Sequence, residues 1–391
     1  MEALIPSSVI LTAHLLVTGP AQELQHFLKD RCKKIVLITH PLQPFTPVGD
    51  HRSVCQVVRN GTVESERSVE QWALPASNWA ELLFFVRHSL WSFSWSIRYG
   101  RGTELFVGIN PLNAFVGLCL KRLGCVQRVV YYTIDYVPNR FSNKQLNRFY
   151  HWIDRTCVRG CDQTWNLSSR MVTARESRGI GAEFRNKQIT VPIGTDLRVQ
   201  PLPVEQIDRN AIVYFGGLME KQGVQLGIEA LALLRRSVPQ ARMVVIGGGS
   251  PDRMNRLKEM ARSLGVADQI EFTGVIEDHS EALERISRGA VGIAPYTDDP
   301  DNFTQYTDPG KPKAYLAAGL PVVMTGVPEV AQTIAQAGAG FVVPYDAQAL
   351  ADSLSRLLTD ELLFVSCRQK ARLLAEQYDW EKLFNNAFER R

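Results

Sequence analysis

Several things are scarce in this sequence, and each scarcity excludes a class of protein. No apolar run is long and unbroken enough to cross a bilayer. Residues 3–22 carry no Asp, Glu, Lys or Arg, but Pro6, Ser7, Ser8, His14 and Pro20 interrupt them, and Glu2 is the only early charge. A secretory signal would need a basic flank there, so the run is read as a buried strand followed by a loop. The stretch Leu105–Leu120 contains Asn110, Pro111 and Asn113 and is too short to span. The seven cysteines (32, 55, 119, 125, 157, 161, 367) are odd in number and scattered. They fit a reduced, cytoplasmic protein better than a disulfide framework. Charge imbalance is also missing: 44 Lys+Arg against 40 Asp+Glu leave +4, which gives no sign of nucleic-acid binding. There is no low-complexity segment and no repeat with a solenoid's period.

What is present is a chain of 391 residues, 45% hydrophobic and 21% charged, the profile of a soluble globular protein with two domains. Short β-rich runs alternate with longer helical patterns. In the first half the strand-like runs are Ser8–Thr12, Lys34–Thr39, Val54–Val58, Glu104–Ile109, Val129–Thr133 and Gln163–Asn166, with helices including Ala21–Asp30 and Ala80–Ile97. In the second half they are Ala211–Phe215, Arg242–Ile246, Gln269–Phe272, Gly292–Pro295, Pro321–Met324 and Gly340–Val343. Near-continuous Val/Ile runs alternating with helices predict an α/β fold, with parallel sheets covered on both faces. The pattern occurs twice, with Ile193–Asn210, holding Gly194, Pro201 and Pro203, between the halves. Two doubly wound, Rossmann-like domains facing a cleft are the expectation, with ligands at the carboxyl edges of the strands.

Three strand-to-helix junctions are glycine-rich: Gly19-Pro20 after the first strand, Gly216-Gly217 through Gly223 after Ala211–Phe215, and Gly247-Gly248-Gly249 after Arg242–Ile246. Glycines let backbone approach a ligand, and the free N–H groups of a following helix receive an anion. None is a complete dinucleotide or Walker A signature, and each alone is equally a tight turn.

A sharper signal is the stretch from Tyr306 to Val323. Asp308 suits an N-cap and Pro309 a first helical residue, Gly319 a helix end, and Pro321-Val322-Val323 the next strand. Lys311 would sit in the first turn, where the helix dipole disfavours a cation unless an anion lies close. The alternative is that Lys311 and Lys313 are simply solvated.

With these residues in place the chain resembles the retaining glycosyltransferases of the GT-B fold, similar to the family 4 group. The resemblance is carried by Tyr214-Phe215-Gly216-Gly217-Leu218 with Gly223, Ile246-Gly247-Gly248-Gly249, Phe272-Thr273-Gly274, Ala294-Pro295-Tyr296 and Pro309–Val323. In the first half Ile193-Gly194-Thr195-Asp196 resembles the family's segment before the linker, and Asp135 the Asp of its His-Asp pair. The tail Tyr378-Asp379-Trp380-Glu381 resembles the closing helix. The resemblance implies an N-terminal acceptor-binding domain (1–195), a linker (196–210), a C-terminal nucleotide-sugar-binding domain (211–375) and a helix (376–391) returning to the first domain. It implies sugar transfer from a nucleotide-diphosphate donor, with no metal and no cofactor beyond that donor substrate. The acceptor would be a polysaccharide or a lipid-linked carbohydrate, as in exopolysaccharide synthesis. Site residues would then be Asp135 and Lys311 for catalysis, and Gly19, Gly216, Gly217, Lys221, Gly248, Tyr296, Thr307 and Lys311 for the donor.

Departures from the family are specific. Its usual Arg and Lys positions hold Gly217 and Gln222, with Lys221 one residue early. Its two glutamates, eight positions apart, are Tyr306 and Ala314, and the His before its Asp is Ile134. Some branches carry instead the pattern that Pro309, Lys311, Tyr315, Ala317, Gly319 and Pro321 fit. The other readings are a non-catalytic binding protein and a nucleotide-sugar epimerase of the same fold. Cys157 and Cys161 near His151 and Asp154 fit neither a CxxC nor an HExxH metal pattern. Trp79–Arg101 is dense in aromatic and basic residues, suited to contact with an anionic membrane or to core packing.

Overall fold

The computed structural model describes residues 5–15, 19–41, 52–70, 78–198 and 200–390. They form two units, one running up to Pro192 and resuming at Trp380, the other spanning Ile193–Asp379. Each is an α/β unit with its own sheet.

In the first unit the strands are β1 (Ser8–Leu15), β2 (Lys34–Pro41), β3 (Arg52–Arg59), β4 (Thr62–Glu70), β5 (Thr103–Ile109), β6 (Val126–Thr133), β7 (Gln163–Asn166) and β8 (Gln188–Thr190), in the order β4-β3-β2-β1-β5-β6-β7-β8. β1 is central because it is apolar on both faces: Val9, Ile10, Leu11 and Ala13 are fully buried, as a strand covered by helices on each side requires. It pairs in parallel with β2 and β5, so strand order reverses there and a crevice opens at its carboxyl end. One expectation needs correcting. The sheet is not parallel throughout, since β2–β3 and β3–β4 pair antiparallel. Asn60 and Gly61, both at positive φ (46° and 78°), make the tight turn between β3 and β4.

The helices of this unit are α1 (Pro20–Lys29), α2 (Asn78–Gly100), α3 (Pro111–Arg122), α4 (Lys144–Gly160), α5 (Ser169–Glu176) and a C-terminal helix, Trp380–Glu389. The C-terminal helix buries Phe384 against Phe27 of α1, ring centroids 5.4 Å apart, and Arg31 meets Glu381 at 2.6 Å. On the opposite face, Trp95 of α2, Ala114 of α3 and Ile153 of α4 join one core with Ile10, Val36 and Phe106.

The second unit is wholly parallel: β9 (Ala211–Phe215), β10 (Arg242–Ile246), β11 (Ile270–Gly274), β12 (Val291–Ala294), β13 (Val322–Thr325) and β14 (Gly340–Val343), in the order β11-β10-β9-β12-β13-β14. The chain moves from β9 outward to β10 and β11, then crosses back to β12. The switch point therefore lies between the carboxyl ends of β9 and β12. Its helices are α6 (Val224–Leu234), α7 (Pro251–Ser263), α8 (His279–Ser287), α9 (Gly310–Ala317), α10 (Val330–Ala337), α11 (Ala347–Thr359) and α12 (Glu361–Ala375). Residues 193–198 and 200–210, read above as approach and linker, are part of this unit, and Thr195 N donates to Tyr378 O at 2.8 Å. Among the described residues no helix is long and apolar enough to cross a membrane.

Candidate functional site

The switch point of the second sheet is built by glycines first. β9 and β10 are in register to their last residues, Phe215 opposite Ile246, so the turns that follow them meet. Gly216 N donates to Ile246 O and Leu218 N to Gly248 O, both at 2.9 Å. A Cβ on Gly247 (φ +140°) would lie 2.0 Å from Gly216 O, so only glycine fits that crossing. Gly217, by contrast, has nothing within 4 Å of where a Cβ would stand. Its carbonyl accepts from Tyr214 Oη at 2.7 Å, which holds the exposed turn to the strand end.

Lys311 closes this corner from α9. The side chain is buried, with Nζ 4.1 Å from the centroid of Tyr214 and 5.0 Å from that of Tyr296, and it donates to Gln222 Oε1 at 3.1 Å. A Cβ on Gly216 would lie 3.2 Å from Lys311 Cε. The ammonium is thus at the β9–β12 crevice, over two aromatic faces and beside the first glycine turn. Among the described residues no carboxylate pairs with it, and burial pushes its pKa down to about 7. The Tyr296 hydroxyl, buried beside it, has no hydrogen-bond partner among the described residues. Tyr315, one helical turn on, locks α9 in place by accepting from Phe215 N at 2.7 Å and donating to Ile293 O at 3.0 Å.

The start of α9 differs from expectation. Asp308 is not the cap: the helix begins at Gly310, with Pro309 in the cap position and no side-chain cap. Asp308 is instead buried, ion-paired with Lys313, and its Oδ2 accepts from Ile193 N at 2.8 Å. Lys313 is therefore not solvated; it is fully buried, also donating to Pro309 O at 3.2 Å. Pro309 and Pro312 lack N–H groups, so of the four donors that a helix start leaves unpaired only those of Gly310 and Lys311 remain. Such an end offers two amides and one ammonium to an anion.

The other sequence-predicted residues of this unit lie around that corner in different states. Lys221 is half exposed and turned toward Asp299 at 3.4 Å. Thr307 is buried, its N–H donating to Phe303 O at 3.3 Å. Gly248 faces Val275, whose Cγ2 would sit 2.5 Å from a Cβ there. The structure thus brings Lys311, Tyr296 and Gly216 together, and turns Lys221 to a carboxylate. Sequence reasoning missed the part played by Tyr214 and Gln222. Their signal was positional: one ends a central strand, the other closes the turn before Gly223.

In the first unit Gly19 caps the start of α1 at φ +154°, directly before Pro20. Asp135 follows β6; burial raises its pKa while the Arg140 guanidinium opposes the shift. At the carboxyl ends of β1 and β2 three histidines meet. His40 stacks on His88 with centroids 4.4 Å apart, and His14 Nε2 is 3.0 Å from His88 Nδ1. Asn113 Nδ2 donates to Ile109 O at 2.8 Å and reaches His14 Nδ1 at 3.3 Å. That donor fixes the neighbours: His14 carries its proton on Nε2 and gives it to His88 Nδ1, which leaves the His88 proton on Nε2. Burial, the largest cause in each case, lowers His14 to about 3 and His88 to about 2, so both are neutral at pH 7. Two of the four residues whose spacing fits no metal pattern have other partners: Cys157 donates to Pro111 O at 3.2 Å, and Asp154 binds the buried Arg175 at 2.8 Å.

Comparison with known proteins gives this geometry a context. The family model described as glycosyl transferases group 1 matches residues 209–360. An exopolysaccharide phosphotransferase of Streptomyces coelicolor is 29% identical over 201 residues, 48% of this chain and 20% of that protein. A D-inositol 3-phosphate glycosyltransferase of Jonesia denitrificans is 27% identical over 251 residues, 58% of this chain and 57% of that one. The chain thus spans less than two thirds of either relative. Among solved structures, HepE of Anabaena in complex with UDP-glucose superposes with a TM-score of 0.69 over 97% of this chain and 98% of its own, at 16% identity. At that identity the likeness shows the fold alone.

Proposed function

Because residues 209–360 form a glycosyl transferases group 1 domain in a chain of GT-B fold, we propose that the protein is a retaining, hexosyl-transferring glycosyltransferase using a nucleotide-diphosphate sugar. The observation that carries this reading is Lys311: a buried ammonium with no carboxylate partner among the described residues, set beside a Gly-Gly turn at the switch point of its sheet. A cation in that position is stable when an anion joins it, and a diphosphate supplies two phosphoryl groups to the ammonium and the amides of Gly310 and Lys311.

The same groups serve the reaction. As the bond between the sugar C1 and the diphosphate oxygen breaks, negative charge grows on the leaving oxygen, where Lys311 and the turn amides stabilise it. The acceptor hydroxyl oxygen bonds to C1 on the face the diphosphate leaves, and its proton passes to the departing phosphate. Gly216, Gly217, Gly248, Tyr296 and Thr307 line or support the donor side, with Lys221 free to exchange Asp299 for a phosphate. Asp135 of the first unit orients an acceptor hydroxyl, the acceptor being a polysaccharide or a lipid-linked carbohydrate. The reading includes no cofactor beyond the donor substrate.

Incubation of the full chain with UDP-, GDP-, TDP- and ADP-sugars tests the assignment. We expect slow hydrolysis of one donor class to the free sugar and nucleoside diphosphate, with the anomeric configuration kept in the first product. Epimerised sugar would replace the reading with an epimerase, and absence of binding to every donor would replace it with a non-catalytic binding protein.

A further inference from the structure

The structure assigns a second surface to this chain: the outer face of α2, α3 and α4 in the first unit, which we propose docks on an anionic lipid bilayer. α3 packs between α2 and α4, so the three helices form one layer over the sheet. Their inner sides fill the core. The outer side is unusual, because seven of the fourteen large hydrophobic side chains that are exposed among the described residues lie between 83 and 152.

On α2 the exposed set is Leu83, Val86, Leu90 and Ile97, a helical stripe opposite the buried Phe84, His88 and Trp95. Of the two readings of this aromatic stretch, core packing holds for the rings of Phe84 and Trp95, while aliphatic side chains point out. On α4 Phe149 and Trp152, 45% and 48% exposed, stack on each other with centroids 5.9 Å apart, and Trp152 is 6.0 Å from Phe115 of α3. Leu123, 62% exposed, ends α3. Gly102 N donates to Cys125 O at 2.8 Å, which brings that turn beside the end of α2.

Charge selects the occupant. From Asn78 to Gly160, the span of α2 to α4, the sequence holds eleven Lys and Arg against four acidic residues, Glu81, Glu104, Asp135 and Asp154. None of the last three is exposed. Arg98, Arg101, Arg122, Lys144 and Arg148 are all exposed, and among the described residues none pairs with a carboxylate. A second copy of this face would set like charge against like. A nucleic acid would meet the guanidinium groups but leave the aliphatic stripe in water. Anionic headgroups over an acyl phase satisfy both. The inference goes beyond sugar transfer and does not depend on it.

Flotation of the full chain with vesicles tests it, using phosphatidylcholine alone and phosphatidylcholine with phosphatidylglycerol at low salt. Binding is expected to the mixed vesicles only. Leu90→Gln with Trp152→Gln, and separately Arg98→Glu with Arg148→Glu, should each lower partitioning about tenfold or more, with far-UV circular dichroism unchanged. In the unaltered chain, lipids brominated in the acyl chain should quench part of the tryptophan emission, and Trp152→Phe should remove that part. Absence of binding to anionic vesicles at low salt overturns the proposal. So does binding that ignores the apolar pair, which would mark a general polyanion surface such as an RNA site, or dimerisation lost with the same variants.

Discussion

Lys311→Ala is expected to weaken the affinity for a nucleoside diphosphate at least tenfold and to lower donor turnover by as much or more. The expectation follows from where the ammonium lies. Its contacts are the faces of Tyr214 and Tyr296 and the Gln222 amide oxygen, none of which carries formal charge. A charge-assisted contact with phosphate in such a buried corner is worth more than at a surface, and a tenfold loss corresponds to only about 1.4 kcal/mol. The variant should also be no less stable than the parent, because the lysine is held there against its own desolvation. Titration with UDP, GDP, TDP and ADP followed by thermal shift reads both quantities. Equal affinity in parent and variant would remove Lys311 from the donor site.

A second substitution two residues away should act oppositely, on stability. Lys313→Met leaves the Asp308 carboxylate buried without its ion-pair partner, and breaking such pairs costs about 3–5 kcal/mol. Burial already raises the Asp308 pKa and Lys313 opposes that, so without Lys313 the carboxyl is driven further toward its protonated form. The loss should spread along the contacts that the pair anchors, Ile193 through its N–H and Tyr378 through its ring over Lys313 Nζ at 5.1 Å. Urea unfolding reads the change as a lower midpoint. Asp308→Asn in the Lys313→Met background should recover part of it, since a neutral amide needs no counter-charge. A loss below about 1 kcal/mol would show that the pair is solvated.

The two lysines show how far the sequence carries and where it stops. The six strands of the second unit were legible because each is a short apolar run closed by glycine or proline, and Ala211–Phe215, Arg242–Ile246 and Gly340–Val343 have the same bounds in sequence and structure. From Pro309 to Pro321 the pattern located the helix but not the cap. A buried Lys–Asp pair and a solvated Lys beside a capping Asp read alike as letters, and only tertiary packing separates them. β4 was invisible for a different reason. Thr62–Glu70 is polar on both faces and mostly exposed, so it has no period-two alternation, and only the Asn60-Gly61 turn hinted at a hairpin. The histidine stack joins residues 14, 40 and 88 from three elements, and no spacing along the chain could show it. Gln222 was noticed for what it is not, the family's lysine; its contact with Lys311 needed coordinates.

The proposed donor site turns on the protonation of one amine. Burial pushes Lys311 from its ordinary 10.5 down to about 7, so above pH 7 the free protein holds it increasingly neutral, while a bound diphosphate requires it charged. Binding must then draw in a proton, and affinity should fall as pH rises above about 7, by up to tenfold per unit until near the amine's ordinary range. The direct measurement is calorimetry of nucleoside diphosphate binding at pH 8 in two buffers of different ionisation enthalpy. The predicted result is uptake of nearly one proton by the parent and of none by Lys311→Ala. Heats that do not depend on the buffer, with affinity flat from pH 6 to pH 9, would contradict it.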